Sequence, residues 1–130
     1  MKAAGPSVLE PDLIRHRLPL YLLGRRHLPL AFAHAWWQGA RQPPGLPPRM
    51  ALDTAAFRLL LPHARWLAAA RQPSWLVQAL ETAAPLLHEL RPAHGRHPAL
   101  GRELLLPVAE DGWRVDFILQ VVQRRAGPGA

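Results

Sequence analysis

A chain of 130 residues with 49% apolar residues and a net charge of +7 is long enough for one hydrophobic core and too apolar to be disordered. The absence of cysteine excludes disulfides, thiolate metal sites and cysteine nucleophiles. Apart from one lysine the positive charge is arginine, standing singly or in pairs such as Arg124 with Arg125, so it reads as a residue-usage bias spread over the chain.

Residues 1–27 read as a mobile arm and lead-in. MKAAGPSVLEP holds Gly and Pro without a period, and the apolar LPLYLLG at 18–24 is cut off by Arg25, Arg26 and His27. No apolar run approaches the roughly 18 residues of a membrane span, and those arginines interrupt any signal-peptide core before AFAHA at 31–35. The expectation is a cytoplasmic protein without membrane insertion.

From Leu28 the pattern turns helical. Leu28, Phe32 and Trp36 recur at i, i+4 and i+8 with Ala31, Ala35 and Gly39 beside them, which predicts a helix with this stripe inward. Pro29 fits its first turn, where no N–H partner is lost. The helix must stop near Arg41, before PPGLPP at 43–48. Leu30, Ala33 and Trp37 fall outside the stripe, so Leu30 and Trp37 are the candidate interaction residues, on a dimer seam or partner surface.

PPGLPPRMALD reads as an extended linker, with a proline-rich ligand for an SH3-type partner as the alternative. Asp53 or Thr54 caps a short helix that Pro62 ends. Apolar runs at 66–69 and 75–80 flank the turn-like Arg71-Gln72-Pro73-Ser74, and alternation in the second run predicts a strand. Residues 82–90 read as a short helix and 93–101 as a loop.

The last element is a hairpin. Leu104, Leu105, Leu106 and Val108 form one strand and AEDG the turn. In 113–121 the residues Trp113, Val115, Phe117, Leu119 and Val121 alternate with Arg114, Asp116, Ile118 and Gln120, predicting one buried and one exposed face. Pro107 cannot donate to a ladder and must face an edge or a bulge. The fold class is therefore α+β: a small antiparallel β-sheet with an N-terminal lead-in helix and short connecting helices. It forms a single domain over 28–126, with 127–130 a loose tail.

The order of these pieces resembles bacterial PAS-like proteins, in which a helical lead-in precedes a PAS sensor-type domain. The resemblance rests on residues 36–66, 75–80 and 103–122, with LLLPVAEDGWRVDFIL its most specific block. It implies a five-stranded antiparallel sheet, of which this chain is expected to keep about four strands. The long middle section that walls the family's pocket is shortened here to residues 81–102, so the resemblance implies a truncated PAS-like domain whose ligand cavity is reduced or missing.

No motif carries a reaction. There is no phosphate-binding glycine loop, and the only serines, Ser7 and Ser74, lie in no nucleophile elbow. His88, His94 and His97 with Glu89 form the densest donor cluster, but their spacing crosses a Pro and a Gly and reads as a solvated loop. His63 reads as a helix-terminal histidine meeting the last carbonyls. Glu110 and Asp111 belong to the hairpin turn, and Asp116 to its polar face. No catalytic, metal or cofactor residue is assigned. The expected function is a non-catalytic PAS-like sensory or protein-interaction module, acting as a homo-oligomer or on another signalling protein, with a small-molecule ligand left open. A small basic nucleic-acid-binding protein is the alternative.

Overall fold

The helical period that starts at Leu28 becomes α1, Leu28–Ala40, in the computed structural model, which describes residues 13–23, 28–41, 43–69, 76–93 and 100–124. The described chain is α+β. Strand β1 (Leu13–Leu18) and a single 3-10 turn (Leu20–Leu22) precede α1, and two short helices follow it, α2 (Arg49–Leu52) and α3 (Ala55–Leu60). Then come β2 (Arg65–Ala68), α4 (Val77–Thr82), β3 (Leu86–Pro92), β4 (Gly101–Val108) and β5 (Phe117–Arg124). The five strands form one antiparallel sheet in the order β1-β3-β4-β5-β2.

Three sequence expectations about this sheet are corrected, the first being its size: it has five strands where about four are expected, β1 being the additional one. Residues 13–18 belong to the sheet rather than to an arm: β1 pairs with β3 from Leu13↔Pro92 to Leu18↔Leu87. Residues 1–12 and 24–27 lie outside the described residues. The strand expected at 75–80 and the helix expected at 82–90 exchange places, as α4 and β3. Ala83 takes a left-handed conformation at the end of α4, with φ 50°, and its N–H closes on the Ala79 carbonyl. That reversal sends LLHEL into the sheet, where Leu86 and Leu87 can bury opposite faces. The expected short helix after the linker stands: Thr54 is its cap, accepting from Phe57 N at 3.1 Å.

Alternation of side chains divides the core in two. Leu87, Leu104, Leu106, Val108, Leu119 and Val121 pack with α1, Leu52 and Phe57 on one face. Leu86, Leu105 and Ile118 pack with Leu76 and Ala79 of the α4 segment on the other. The sheet is thus covered on both sides, which is why Ile118 and Gln120 are buried along with Leu119 and Val121. The expectation of one exposed face on β5 fails for this reason. The strand also begins later than its alternation, at Phe117, and Trp113 stands in the connection, exposed.

The inward face of α1 is set by the same geometry. Leu30, Ala33 and Trp37, at i, i+3 and i+7, are its buried residues, Trp37 only 2% exposed. Phe32 and Trp36 turn instead toward the short helices. Trp36 packs edge-on against Phe57 with ring centroids 5.0 Å apart, and its Nε1 donates to the Ala51 carbonyl. A helix held between a sheet and a second helical layer needs two apolar faces, and the larger one goes to the sheet. Leu30 and Trp37 are therefore core residues, and their assignment to an exposed seam is corrected.

Trp37 Nε1 also donates to the Pro107 carbonyl at 2.7 Å. β3 pairs with β4 only as far as Leu105, so Pro107 sits where β4 has lost one neighbour, as a proline in a strand requires. Replacing Trp37 by Ala should lower stability by about 3–5 kcal/mol through the cavity it leaves. Trp37→Phe should keep most of the packing but strand the Pro107 carbonyl, at about 1–3 kcal/mol. Urea unfolding followed by circular dichroism measures both; a loss under 1 kcal/mol (roughly the cost of an average mutation) for Trp37→Ala would refute this anchoring role.

Candidate functional site

Two places bring polar chemistry together. The first lies on the α4 face of the sheet, beside the apolar cluster around Leu105. Glu103 of β4 is fully buried, and a buried carboxylate is tolerated only with full compensation. Its Oε1 accepts from Arg15 Nε at 2.9 Å and from His88 Nδ1 at 3.0 Å. Its Oε2 accepts from Arg15 Nη2 at 3.3 Å and Gln120 Nε2 at 2.6 Å. Register explains the meeting. His88 stands directly across from Glu103, Gln120 is the diagonal neighbour on β5, and Arg15 reaches over β3 from the sheet edge.

Burial pushes the Glu103 carboxyl up, but hydrogen bonds from His88 and Arg15, the Arg15 charge and the Gln120 amide together hold it below the ordinary value. It is ionised at neutral pH. Facing an acceptor-only carboxylate, His88 Nδ1 must carry its proton. All four acceptor positions of the carboxylate are thus taken by protein donors. A carboxylate in this state has no lone pair left for a substrate proton or a metal ion, and its role is to tie strands together. The Gln120 amide nitrogen is committed to Glu103, which leaves its buried Oε1 without a hydrogen-bond partner among the described residues.

The second place is an open groove of about 530 Å³ between the end of α1, the proline linker and the β4–β5 turn. Ala40, Pro44, Leu46, Pro48 and Ala51 form its apolar wall, and residues 109–113 face them. The linker is docked by backbone bonds, Leu46 N to the Gly112 carbonyl at 2.7 Å and Ala109 N to the Pro47 carbonyl at 3.0 Å. Arg41 fixes the other end, stacking over Trp37 and donating to the Gly45 carbonyl. Within the turn, Asp111 Oδ1 accepts from the backbone N–H groups of Trp113 and Arg114, both at 2.8 Å. Those two bonds, Arg114's first, hold the exposed Asp111 carboxyl below its usual range. Gly112 supplies the positive φ of 87° that the turn needs.

The residues singled out in the sequence are dispersed by this arrangement. Leu30 and Trp37 lie in the core, and His63 is exposed just past α3. His88 is buried on β3 while Glu89, one residue on, points to the opposite face and pairs with Arg91 at 2.7 Å. His94 and His97 lie outside the described residues. Among the described residues no three His, Cys, Asp or Glu side chains converge as a metal site would require. Of the three hairpin carboxylates, Asp111 and Asp116 bond the backbone of their own turn, Asp116 Oδ2 accepting from Glu110 N at 3.2 Å. The sequence marks neither Glu103 nor Arg15 as a site residue: Arg15 is near no motif, and Glu103 enters only as the first residue of the hairpin block. The signal that could have found Glu103 is a lone acid directly before a leucine run.

No protein-family model, curated protein or solved structure matches this chain. No helix among the described residues is long and apolar enough to cross a membrane.

Breaking the network on one side should be costly. Glu103→Gln removes the charge that balances the buried Arg15 and should destabilise by about 3–5 kcal/mol, whereas Arg15→Met combined with Glu103→Leu should recover only part of that loss, because His88 Nδ1 and Gln120 Nε2 are then left without their acceptor. The folded carboxyl titrates below its unfolded value, so its contribution is complete above about pH 4.3 and is lost as pH falls from there through the lower folded value. Urea titrations at descending pH should show this acid-side loss in the native chain and a flattened one in Glu103→Gln; equal slopes would refute it.

Proposed function

We propose that this chain is a non-catalytic PAS-like interaction module that acts by pairing with a second copy or with another signalling protein. The lead-in helix, the LPPRMALD linker and the LLLPVAEDGWRVDFIL hairpin support the PAS-like part. A five-stranded antiparallel sheet with the lead-in helix laid on one face agrees with it. The shortened stretch between α4 and β4 favours interaction over small-molecule sensing, because Leu76, Ala79, Leu86, Leu105 and Ile118 fill the space beside the sheet with one another.

The observation that carries the interaction reading is the contrast between the two polar places. The buried one has every Glu103 acceptor occupied, whereas the exposed one is an apolar-walled groove with a tryptophan 66% exposed at its lip. Exposed tryptophan beside a concave apolar surface is the composition of a protein-binding hot spot.

A second reading has its own observation. Arg17, Arg65 and Arg124 are exposed and share the α4 face of the sheet, which gives a basic surface for a nucleic acid. Sedimentation of the full chain over a concentration series at two salt concentrations separates them. The interaction reading expects concentration-dependent dimers that weaken little with salt. The nucleic-acid reading expects a monomer whose binding to double-stranded oligonucleotides falls about 40-fold between ~50 and ~200 mM salt if the three arginines each neutralise one phosphate. A salt-steep oligonucleotide complex without self-association would overturn the first reading.

A further inference from the structure

The groove lies in a chain of net charge +7, yet the ionisable groups lining it are both acids, Glu110 and Asp111. They are not equivalent. Asp111 spends an oxygen on the N–H groups of Trp113 and Arg114, while Glu110 uses only its backbone N–H, toward Asp116, and extends an exposed carboxylate. Immediately beyond them stand Trp113, whose indole meets no other ring among the described residues, and Arg114, exposed and without an ion pair among them. One short turn therefore presents an apolar knob, an exposed cation whose charge also acts on Asp111, a carboxylate with no ion pair among the described residues, and an apolar hollow.

These four features constrain the occupant. An acidic partner would satisfy Arg114 but oppose Glu110; a basic one would do the reverse. A partner that supplies a tryptophan, a cation, an anion and a hollow in mirrored order satisfies all of them, and a second copy of this chain does so. That is the requirement of a twofold contact, in which residue i of one copy meets j of the other and j meets i. The turn is also held in advance, by the Asp111 bonds, the Gly112 conformation and the docked linker, so little is lost in ordering it on contact. At about 530 Å³ the groove is in the size range of concave ligand sites and can take an aromatic side chain.

We propose that the β4–β5 turn and the linker groove form a twofold-symmetric homodimer contact, Trp113 of each copy seated against the other's groove and Arg114 facing the other's Glu110. The proposal rests on the interaction reading above and gives it a surface in place of the buried Leu30 and Trp37. Trp113 supplies the affinity and the two rim pairs supply the register, since exposed ion pairs are weak individually but like charges forced together repel.

Sedimentation equilibrium and native mass spectrometry of full-length variants test it. Trp113→Ala should raise the dimer Kd about 30-fold or more. Arg114→Glu and Glu110→Arg should each be monomeric, because each places like charges opposite one another twice. Mixed in equal amounts, those two variants should form a one-to-one heterodimer, since both rim pairs are then restored. All three altered side chains are exposed, so unchanged circular dichroism is expected throughout. A wild-type dimer that survives all three substitutions would overturn this surface while leaving dimerisation standing. A wild-type chain that stays monomeric at its highest soluble concentration would overturn both. Monomeric variants that fail to pair on mixing would overturn the reciprocal geometry.

Discussion

A carboxylate removed from water must be surrounded by donors, and Glu103 draws them from three different strands. Arg15 comes from β1, His88 from β3 and Gln120 from β5, so one buried charge on β4 crosses the whole width of the sheet except β2. An apolar residue at this position would bind its neighbours without regard to register. A carboxylate with four donors accepts one alignment, because a slip by one residue would carry its partners to the opposite face. β1 depends on this most. It is an edge strand with Ile14 and His16 exposed, and Arg15 is its deep anchor to the sheet centre. Residues that look like an N-terminal appendage are thereby made part of the domain.

The opposite face is organised by shape rather than charge. Trp37 fills the space between α1 and β4 and hands its N–H to Pro107, at the point where β3 no longer accompanies β4. The same helix turns Phe32 and Trp36 toward Phe57, so α2 and α3 stay against it although each is too short to be stable alone. The proline linker follows as a consequence, pressed onto the β4–β5 turn by bonds from Leu46 and Ala109. The groove proposed as a contact is the seam left by that docking.

Local signals in the sequence were legible where they did not depend on a distant partner. The extent of α1, the Thr54-capped helix and the two final strands follow from period, caps and prolines. What could not be read was which faces are covered. Leu28, Phe32 and Trp36 form as good a stripe as Leu30, Ala33 and Trp37, and only the position of the sheet ranks them. Gln120 looks like a solvent-facing residue until β1 brings Arg15 over and α4 closes that side. Strand β3 was hidden because LLHEL suits a helix by propensity and becomes a strand through its pairing with β1 and β4. Leu30 and Trp37 look exposed for the same reason, since on the helix by itself they lie outside the Leu28 stripe and only the sheet buries them. Trp113 continues the alternation of Phe117, Leu119 and Val121, but the strand begins only at Phe117.

The order of strands carries a consequence for biosynthesis. β1 finds its partner in β3 and β2 finds its partner in β5, so neither strand of the first half can pair with the other. β2 is complete about fifty residues before β5 begins, at a synthesis rate of roughly 5–20 residues per second. During those seconds α1 lacks the part of its packing face that β5 supplies, Leu119 and Val121, while Leu104, Leu106 and Val108 of β4 come off first. The β2 edge of the sheet can form only once β5 has been made, since β5 is the strand that β2 pairs with.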